Sequence, residues 1–258
     1  MPTPVESRAR IRAEVWIVLG LTLGQSAVFA LWRIVERYQR EAPVGQQTVT
    51  LNNSASAVEL MDAIYQVLVL AFRMAPVLLV LYLLSAAGRS WRERLGLVGG
   101  ARAWWRDAAH AAGLAALVGL PGLAVYAFGR AIGQTVRIDT SGLPDHWWAA
   151  TVLLVGAATI GILEETIAVG YLVSRLRDLA WGPVAIVLAS ATLRAGYHLY
   201  QGWPMALGNA AMGALFAVYF LRTGRLGPLI LAHFTLDAVA FIGPELAPES
   251  WLEALRVA

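Results

Sequence analysis

Ionisable side chains lie inside the long apolar stretches in the second half of this chain. They comprise two adjacent carboxylates in one stretch, an arginine and a histidine four residues apart in the next, and a histidine and an aspartate four apart in the last: Glu164, Glu165, Arg194, His198, His233 and Asp237. Because a charge near the centre of a bilayer costs several kcal/mol unless it is partnered, such residues mark functional or bracing sites. The first half of the chain offers only Arg73 at comparable depth.

The spacing of these residues restricts how they can act together. Adjacent residues of a helix point about 100° apart, so we expect one of Glu164 and Glu165 to catalyse while the other braces. The pairs four apart each share a helical face, as residues that line one pocket must. Two imidazoles with a carboxylate can also hold zinc and leave one position for an activated water. On this alternative the candidate zinc ligands are Glu164, His198, His233 and Asp237.

Seven apolar stretches of helix length carry or flank these residues. They run from Glu14 to Val35, Tyr65 to Ala87, Ala108 to Gly133, Trp147 to Leu172, Trp181 to Tyr200, Trp203 to Leu221 and Arg225 to Gly243. A spanning helix needs roughly 20 apolar residues, and 58% of the chain is hydrophobic while only 14% is charged. The sequence therefore predicts an all-α, polytopic transmembrane bundle of about seven helices (six to eight). It would form a single integral membrane domain over residues 1–258.

Arginine placement indicates the orientation of this bundle. Loops on one side of the predicted helices carry twelve of the twenty arginines, and loops on the other side carry five. By the positive-inside rule we expect the N-terminus in the cytoplasm and the protein in the cell membrane. The net charge of +3 is explained by this topology, so lipid and a membrane-associated peptide or protein are the expected partners, not nucleic acid. All basic residues are Arg beside abundant Ala, Gly and Leu, a bias typical of GC-rich coding that favours a bacterial source.

Helix geometry places the polar groups near mid-membrane. At about 1.5 Å per residue, Glu164 lies roughly 16 Å along its helix from Arg175. The same arithmetic puts His233 nearer the cytoplasmic side and His198 nearer the outside. One pocket can collect both imidazoles only if the helices tilt.

Three segments together resemble the motifs of the CAAX-processing and bacteriocin-processing (CPBP, or Abi) intramembrane proteases, which include type II CAAX prenyl endopeptidases. The motifs of that family are Glu-Glu-x-x-x-Arg, Phe-x-x-x-His and His-x-x-x-Asn or Asp, in this order on separate helices. The matching segments run from Glu164 to Leu172, Arg194 to His198 and His233 to Asp237. The resemblance covers residues 147–243 and implies that the last four helices form the catalytic core of an intramembrane endopeptidase.

Two positions depart from the pattern of that family. Val169 stands where the first motif has Arg, and Arg194 stands where the second motif has Phe. In the family pattern the second glutamate and the arginine are four apart and can neutralise each other. We hypothesise that Arg194 restores this pair to Glu165 from the neighbouring helix, with Arg73 as the competing partner.

The resemblance also implies roles for individual residues. Glu164 would remove a proton from water, and His198 would position that water. His233 and Asp237 would face the scissile carbonyl; because an ionised Asp cannot donate to an oxyanion, Asp237 must be protonated, orient His233 or bind metal. The bracing residues would be Glu165, Arg194 and Arg73. The implied reaction is hydrolysis of a peptide bond near the C-terminus of a membrane-associated protein, including prenylated CAAX proteins. Glutamate-type catalysis without a cofactor is favoured, with zinc as the alternative.

Other interpretations stay open on sequence alone. His198 could be an interfacial histidine whose ring reaches towards water, and His233 with Asp237 could be a buried hydrogen-bonded pair. The altered Val169 position suits a catalytically inactive immunity or scaffold protein. A proton-coupled transporter could use the same carboxylates and imidazoles, but the sequence has no inverted repeat or pair of broken helices.

Overall fold

The computed structural model describes residues 7–85, 90–139, 142–143, 146–246 and 250. The helices in this part of the chain are α1 (Arg8–Leu21), α2 (Leu23–Gln39), α3 (Glu59–Arg73), α4 (Ala75–Ser85), α5 (Trp91–Arg94), α6 (Ala101–Ala131), α7 (Ala149–Glu164), α8 (Leu172–Asp178), α9 (Pro183–His198), α10 (Trp203–Thr223) and α11 (Gly227–Leu246). A π-helical segment, Glu165–Tyr171, joins α7 to α8, and 3-10 turns cover Val44–Gln46 and Leu199–Gln201. Two short strands, β1 (Thr48–Thr50) and β2 (Arg137–Asp139), pair in parallel.

The described residues contain five helical segments that are long and apolar enough to cross a membrane. They are Glu59–Ser85, Ala101–Ala131, Ala149–Asp178, Trp203–Thr223 and Gly227–Pro244. Helices α1 and α2 make a sixth span if they count as one, with a bend of 49° between them. The predicted all-α polytopic bundle is thereby confirmed.

Side-chain contacts gather one set of helix ends at what we call the arginine-rich end, marked by Arg94, Arg175 and Arg225. Arg175 Nε donates to Glu14 Oε1 at 2.8 Å, which joins α8 to α1. Arg94 Nη1 donates to Asp178 at 3.0 Å. Arg225, between α10 and α11, makes two hydrogen bonds of 2.7 and 2.6 Å to Asp107 on α6, so all these loops meet at one end.

The opposite end is marked by Gln47, Gln134 and Gln201. Arg37 Nη1 at the end of α2 donates to Gln47 Oε1 at 3.0 Å. The Val136 N–H donates to the Gln201 carbonyl at 3.0 Å, which ties the turn after α9 to the segment that leads into β2. The arginines predicted to lie on opposite sides of the membrane are therefore on opposite ends of the bundle wherever they are described; Arg89 and Arg256 lie outside the described residues.

Helix α9 is shorter than the predicted stretch from Trp181 to Tyr200 and does not meet the length of a spanning helix on its own. It has 16 residues, or about 24 Å, and a 3-10 turn extends it. Nevertheless it begins beside α8 at the arginine-rich end, and its following turn reaches the opposite end. Within the described residues, seven segments thus run between the two ends, although five have the length and hydropathy of a spanning helix and a sixth has them only if α1 and α2 count as one.

The core of the bundle surrounds the π-helical segment. All seven of its residues, Glu165–Tyr171, are buried, and α4, α9, α10 and α11 pack around it. The outer helices instead present large apolar side chains on the protein surface, as lipid-facing helices do; examples are Trp16, Phe72 and Val184. The charged residues of the core are consequently held by protein on every side.

Candidate active site

The two adjacent glutamates lie where α7 changes into the π-helical segment. Glu164 is the last residue of α7, and Glu165 is the first of the π-helical turns, whose backbone hydrogen bonds run from i to i+5. Ser190 Oγ on α9 donates to the Ala168 carbonyl at 2.8 Å and so supports the widened turn. Such π-helical insertions occur frequently at functional sites.

Glu165 lies against Arg194 in the centre of the bundle. Arg194 Nη2 donates to Glu165 Oε1, and neither side chain has any exposed surface. The second guanidinium nitrogen, Nη1, is 3.6 Å from Glu164 Oε2. One cation therefore serves both carboxylates, and it comes from α9, the helix next to the motif.

Helix α10 makes room for the arginine. A Cβ at Gly213 would lie only 3.2 Å from Arg194 Cβ and 3.3 Å from its Cδ, so the absence of a side chain there lets the guanidinium stem pass. The guanidinium carbon lies 5.6 Å from the centre of the Phe216 ring, a cation–π distance. Residues of α10 thus accommodate Arg194 in the core.

Glu164 faces three polar side chains. Tyr197 Oη donates to Glu164 Oε2 at 2.7 Å. The same carboxylate oxygen is 3.8 Å from His198 Nε2 and 4.0 Å from His233 Nε2. Both imidazoles therefore lie close to one carboxylate.

The imidazole of His233 lies between the two glutamates. Its Nδ1 is 2.6 Å from Glu165 Oε1, whereas its Nε2 faces Glu164 and lies 3.6 Å from Asp237 Oδ2. We expected the carboxylates to point about 100° apart, and they approach opposite nitrogens of one ring. Gly161 permits this, since a Cβ there would be 3.2 Å from the backbone nitrogen of Phe234 on α11.

His198 is not an interfacial side chain that reaches into water. Both of its ring nitrogens are buried, and neither has a hydrogen-bond partner among the described residues. Buried polar atoms in native proteins nearly always have a partner. The ring of His198 thus keeps its hydrogen-bonding capacity, with its Nε2 3.8 Å from Glu164.

Arg73 does not pair with Glu165. Its Nη1 donates to Thr159 Oγ1 at 3.2 Å, and no described carboxylate lies within ion-pair distance of it. It instead lines a cavity of about 430 Å³ together with Glu164, His198 and Arg33. Of the two cations considered for Glu165, the structure thus places Arg194 beside it.

This cavity, which we call the catalytic cleft, lies between α2 on one side and α3 with α7 on the other. Its polar lining includes Gln25, Ser26, Tyr197 and Tyr200 besides the residues just described, and Phe29, Ile160 and Leu163 provide apolar walls. Arg33 is one helical turn before Arg37, and Tyr200 belongs to the turn after α9. The cleft therefore lies in the half of the bundle away from the arginine-rich end.

The four candidate zinc ligands do not form a metal site as they are placed. Ligand atoms about 2.0–2.2 Å from a tetrahedral Zn²⁺ lie about 3.3–3.6 Å from one another, whereas Glu164 Oε2 is 3.8 and 4.0 Å from the nearest nitrogens of His198 and His233. Within the described part of the chain, no three His, Asp or Glu side chains are arranged to hold a metal ion.

Three features of the site were missed in the sequence. Tyr197 directly contacts Glu164, and its position three residues after Arg194 on the same helix face could have indicated it. Arg33 lies in the first apolar stretch, outside the set of membrane-embedded charges that the sequence predicts for the site. The π-helical segment follows no helical or apolar pattern in the sequence.

Comparison with known families agrees with this geometry. The family model of the Rce1-like type II CAAX prenyl endopeptidases matches residues 146–239. This segment is therefore similar to an Rce1-like domain. It contains all three motif segments, so it confirms the resemblance drawn from them and supports a CAAX-type intramembrane protease. No curated protein and no solved structure matches the chain.

Proposed function

We propose that this protein is an intramembrane endopeptidase in which Glu164 activates water to hydrolyse a peptide bond near the C-terminus of a membrane-associated protein. The observation that carries the proposal is the position of one oxygen. Glu164 lines the catalytic cleft, and its Oε2 lies 3.8 Å from His198 Nε2 and 4.0 Å from His233 Nε2. The catalytic core is residues 147–243.

The separations in this group suit one water molecule. Both exceed a direct hydrogen bond and are within the distance that one bridging water spans. In the reaction, Glu164 takes a proton from this water while the water oxygen attacks the scissile carbonyl carbon. When the tetrahedral intermediate collapses, the carbon–nitrogen bond breaks and the proton held by Glu164 passes to the leaving amine.

The remaining polar groups hold the catalytic atoms in place. Glu165, fixed by Arg194, accepts a hydrogen bond from Nδ1 of His233 and sets the orientation of that ring. The Nε2 nitrogen of His233 is then directed into the site, where in the protonated ring it donates to the oxyanion. Asp237, 3.6 Å away, orients His233 and offsets its charge.

The lining of the catalytic cleft is consistent with a peptide that ends nearby. Its walls combine apolar side chains with two arginines, Arg33 and Arg73, that have no described carboxylate within ion-pair distance. Fixed cations in a cleft of low polarity attract an anion, and every unmodified peptide has a carboxylate at its C-terminus. The cleft thus suits an apolar C-terminal segment whose carboxylate faces the arginines; prenylated CAAX-type chains are one such class.

The inactive-scaffold alternative was based on Val169 in place of the motif arginine. The contact between Arg194 and Glu165 weakens that argument, because the buried carboxylate still has its cation. An unused hydrolytic site would also have little need for two unpartnered imidazole nitrogens beside Glu164.

Cleavage of a peptide panel by the purified protein tests the proposal. The panel contains apolar C-terminal peptides with and without a prenyl group. Wild type should cleave members of the panel, and Glu164→Gln should lose at least 100-fold in rate because general-base catalysis contributes about that much or more. Glu36→Gln, which changes an exposed glutamate outside the cleft, serves as the matched control.

Two results would contradict the proposed function. Equal cleavage by wild type and Glu164→Gln removes Glu164 from the chemistry, and loss of cleavage with a chelator, restored by zinc, replaces the metal-free mechanism. If no panel member is cleaved while Glu164→Gln leaves the cellular phenotype intact, the scaffold function is supported instead.

We further propose that the N-terminus lies in the cytoplasm of a cell membrane, which places the catalytic cleft in the outer half of the bilayer. The chain has no cysteine, so single cysteines report topology directly. A membrane-impermeant maleimide added to intact cells should label Arg40→Cys and spare Arg102→Cys. The reverse labelling pattern would invert the orientation.

A further inference from the structure

A second cavity lies on the surface of the bundle between α9 and α10. It has a volume of about 650 Å³ and shares no lining residue with the catalytic cleft. Its walls are almost wholly apolar and include Val184, Val187, Leu188, Val218 and Leu221. We call it the α9–α10 groove.

The apolar side chains of this groove are open to the surroundings. Val184 is 72% exposed and Leu188 is 60% exposed. Both belong to a helix that runs between the two ends of the bundle, so these side chains face the hydrocarbon region of the membrane. A lipid acyl chain is the apolar partner that this location offers.

Two arginines stand at one end of the groove. Arg177 near the end of α8 and Arg222 near the end of α10 are both exposed and both line it. No described carboxylate lies within ion-pair distance of either, whereas Arg94, Arg175 and Arg225 at the same end are all paired. The groove therefore joins an apolar channel to a small region of unneutralised positive charge.

Trp181 adds a third element to the groove. It is 47% exposed, lines the groove, and lies in the link between α8, which carries Arg177, and α9, which carries Val184 and Leu188. Tryptophan prefers the level of lipid headgroups, because its ring is largely apolar and its N–H can reach polar groups. The sequence of features along the groove, from cations to indole to aliphatic walls, matches the sequence of features along a phospholipid.

We propose that the α9–α10 groove is a binding site for an anionic phospholipid. The phosphate lies between Arg177 and Arg222, and one acyl chain lies along Val184 and Leu188. Charge complementarity selects an anionic lipid over a zwitterionic one, since clustered arginines between membrane helices favour anionic headgroups. The bound lipid would brace α9, the helix that carries Arg194 in the core and His198 in the catalytic cleft.

Lipid retention by the full-length protein tests this site. The protein is placed in nanodiscs of equimolar phosphatidylglycerol and phosphatidylcholine, released into the gas phase, and weighed with the lipids that it keeps. Wild type should retain phosphatidylglycerol preferentially. An arginine near the surface contributes roughly fivefold to anionic lipid binding, so the Arg177→Gln/Arg222→Gln variant should bind phosphatidylglycerol about thirtyfold more weakly.

Two further variants separate the groove from general surface charge. Arg102→Gln/Arg106→Gln removes the same charge from the arginine-rich end outside the groove and should retain the lipid as wild type does. Val184→Trp fills the groove while it leaves both arginines, and it should also lose the lipid. Because Val184 is exposed, this change should leave the fold intact, which circular dichroism verifies.

Three outcomes would overturn the proposal. Wild type could retain both lipids equally, or the variant outside the groove could lose as much phosphatidylglycerol as the groove variant. Alternatively, the protein could appear as a dimer that only Val184→Trp disrupts, which would make the groove a contact between two copies of the chain. None of these readouts depends on peptide cleavage.

Discussion

Removal of the buried cation tests the central electrostatic arrangement most directly. Arg194 and Glu165 are both fully buried, and breaking such a pair from one side costs about 3–5 kcal/mol because it leaves an uncompensated charge. The structure predicts that the two single variants, Arg194→Met and Glu165→Gln, differ in their stability cost within that range. Arg194→Met leaves two carboxylates without their cation, since Arg194 also lies 3.6 Å from Glu164, and should cost about 5 kcal/mol. Glu165→Gln leaves the arginine beside Glu164 and should cost about 3 kcal/mol.

The assay is a double-mutant cycle on unfolding in mixed micelles. Free energies of unfolding are measured for wild type, the two single variants and the Arg194→Met/Glu165→Gln double variant. Since the double variant removes both charges, it should be more stable than the sum of the single effects by about 3 kcal/mol. Strict additivity, or a cost below about 1 kcal/mol for Arg194→Met, would refute the buried pair.

A related set of variants tests the relocation of the motif arginine. Val169 is fully buried in the π-helical segment, one turn from Glu165. If the cation has moved between helices, Val169→Arg should recover much of the stability that Arg194→Phe loses. Val173→Arg, at another fully buried valine further along the helix, should recover none. The relocation hypothesis fails if the Arg194→Phe/Val169→Arg protein folds no better than Arg194→Phe alone.

Three further predictions concern catalysis and packing. Tyr197→Phe removes a hydrogen bond to a carboxylate and should lower kcat by roughly 10- to 100-fold with KM little changed, as steady-state cleavage kinetics would show; an altered KM alone would contradict it. Wild type should cleave peptides with a free C-terminal carboxylate in preference to their amides, measured as the ratio of the two kcat/KM values. Arg33→Gln should lose this preference, while the control variant Arg40→Gln should keep it. Gly161→Ala should destabilise the protein by about 1–3 kcal/mol because α7 and α11 must separate, whereas Gly113→Ala, with open space around it, should be neutral or stabilising in the same unfolding assay.

The sequence was sufficient for the parts of the fold that depend on solvation. Apolar stretches of spanning length and the division of arginines between loops follow from the cost of polar groups in lipid, and both agree with the structure. The length of α9 was overestimated, since the predicted stretch ended at Tyr200 and the helix ends at His198. The extra residues form a 3-10 turn, a distinction that hydropathy does not register.

The sequence was insufficient where close packing decides the geometry. Regular helix spacing placed Glu164 and Glu165 on different faces and required an unspecified tilt to join His198 with His233. The structure meets that requirement through the π-helical segment and the close approach at Gly161, neither of which apolar periodicity encodes. Arg175 shows the same limit: counted only as a topology signal, it is a fully buried residue that joins α8 to Glu14 and to the Leu83 carbonyl.

The contact between Arg194 and Glu165 shows why a sequence motif and a functional site are not the same thing. A motif records which helix supplies each residue, whereas the cost of burying an ionised Glu165 depends on how close a cation lies, whichever helix supplies it. A cation from α9 satisfies that condition as well as one from the first motif, provided that the neighbouring helix yields space. Gly213 yields it, because a side chain there would collide with the stem of the arginine. Val169, Arg194 and Gly213 therefore belong to one arrangement that involves three helical segments. A sequence search that requires Arg four residues after the second glutamate would miss chains in which a neighbouring helix supplies the cation.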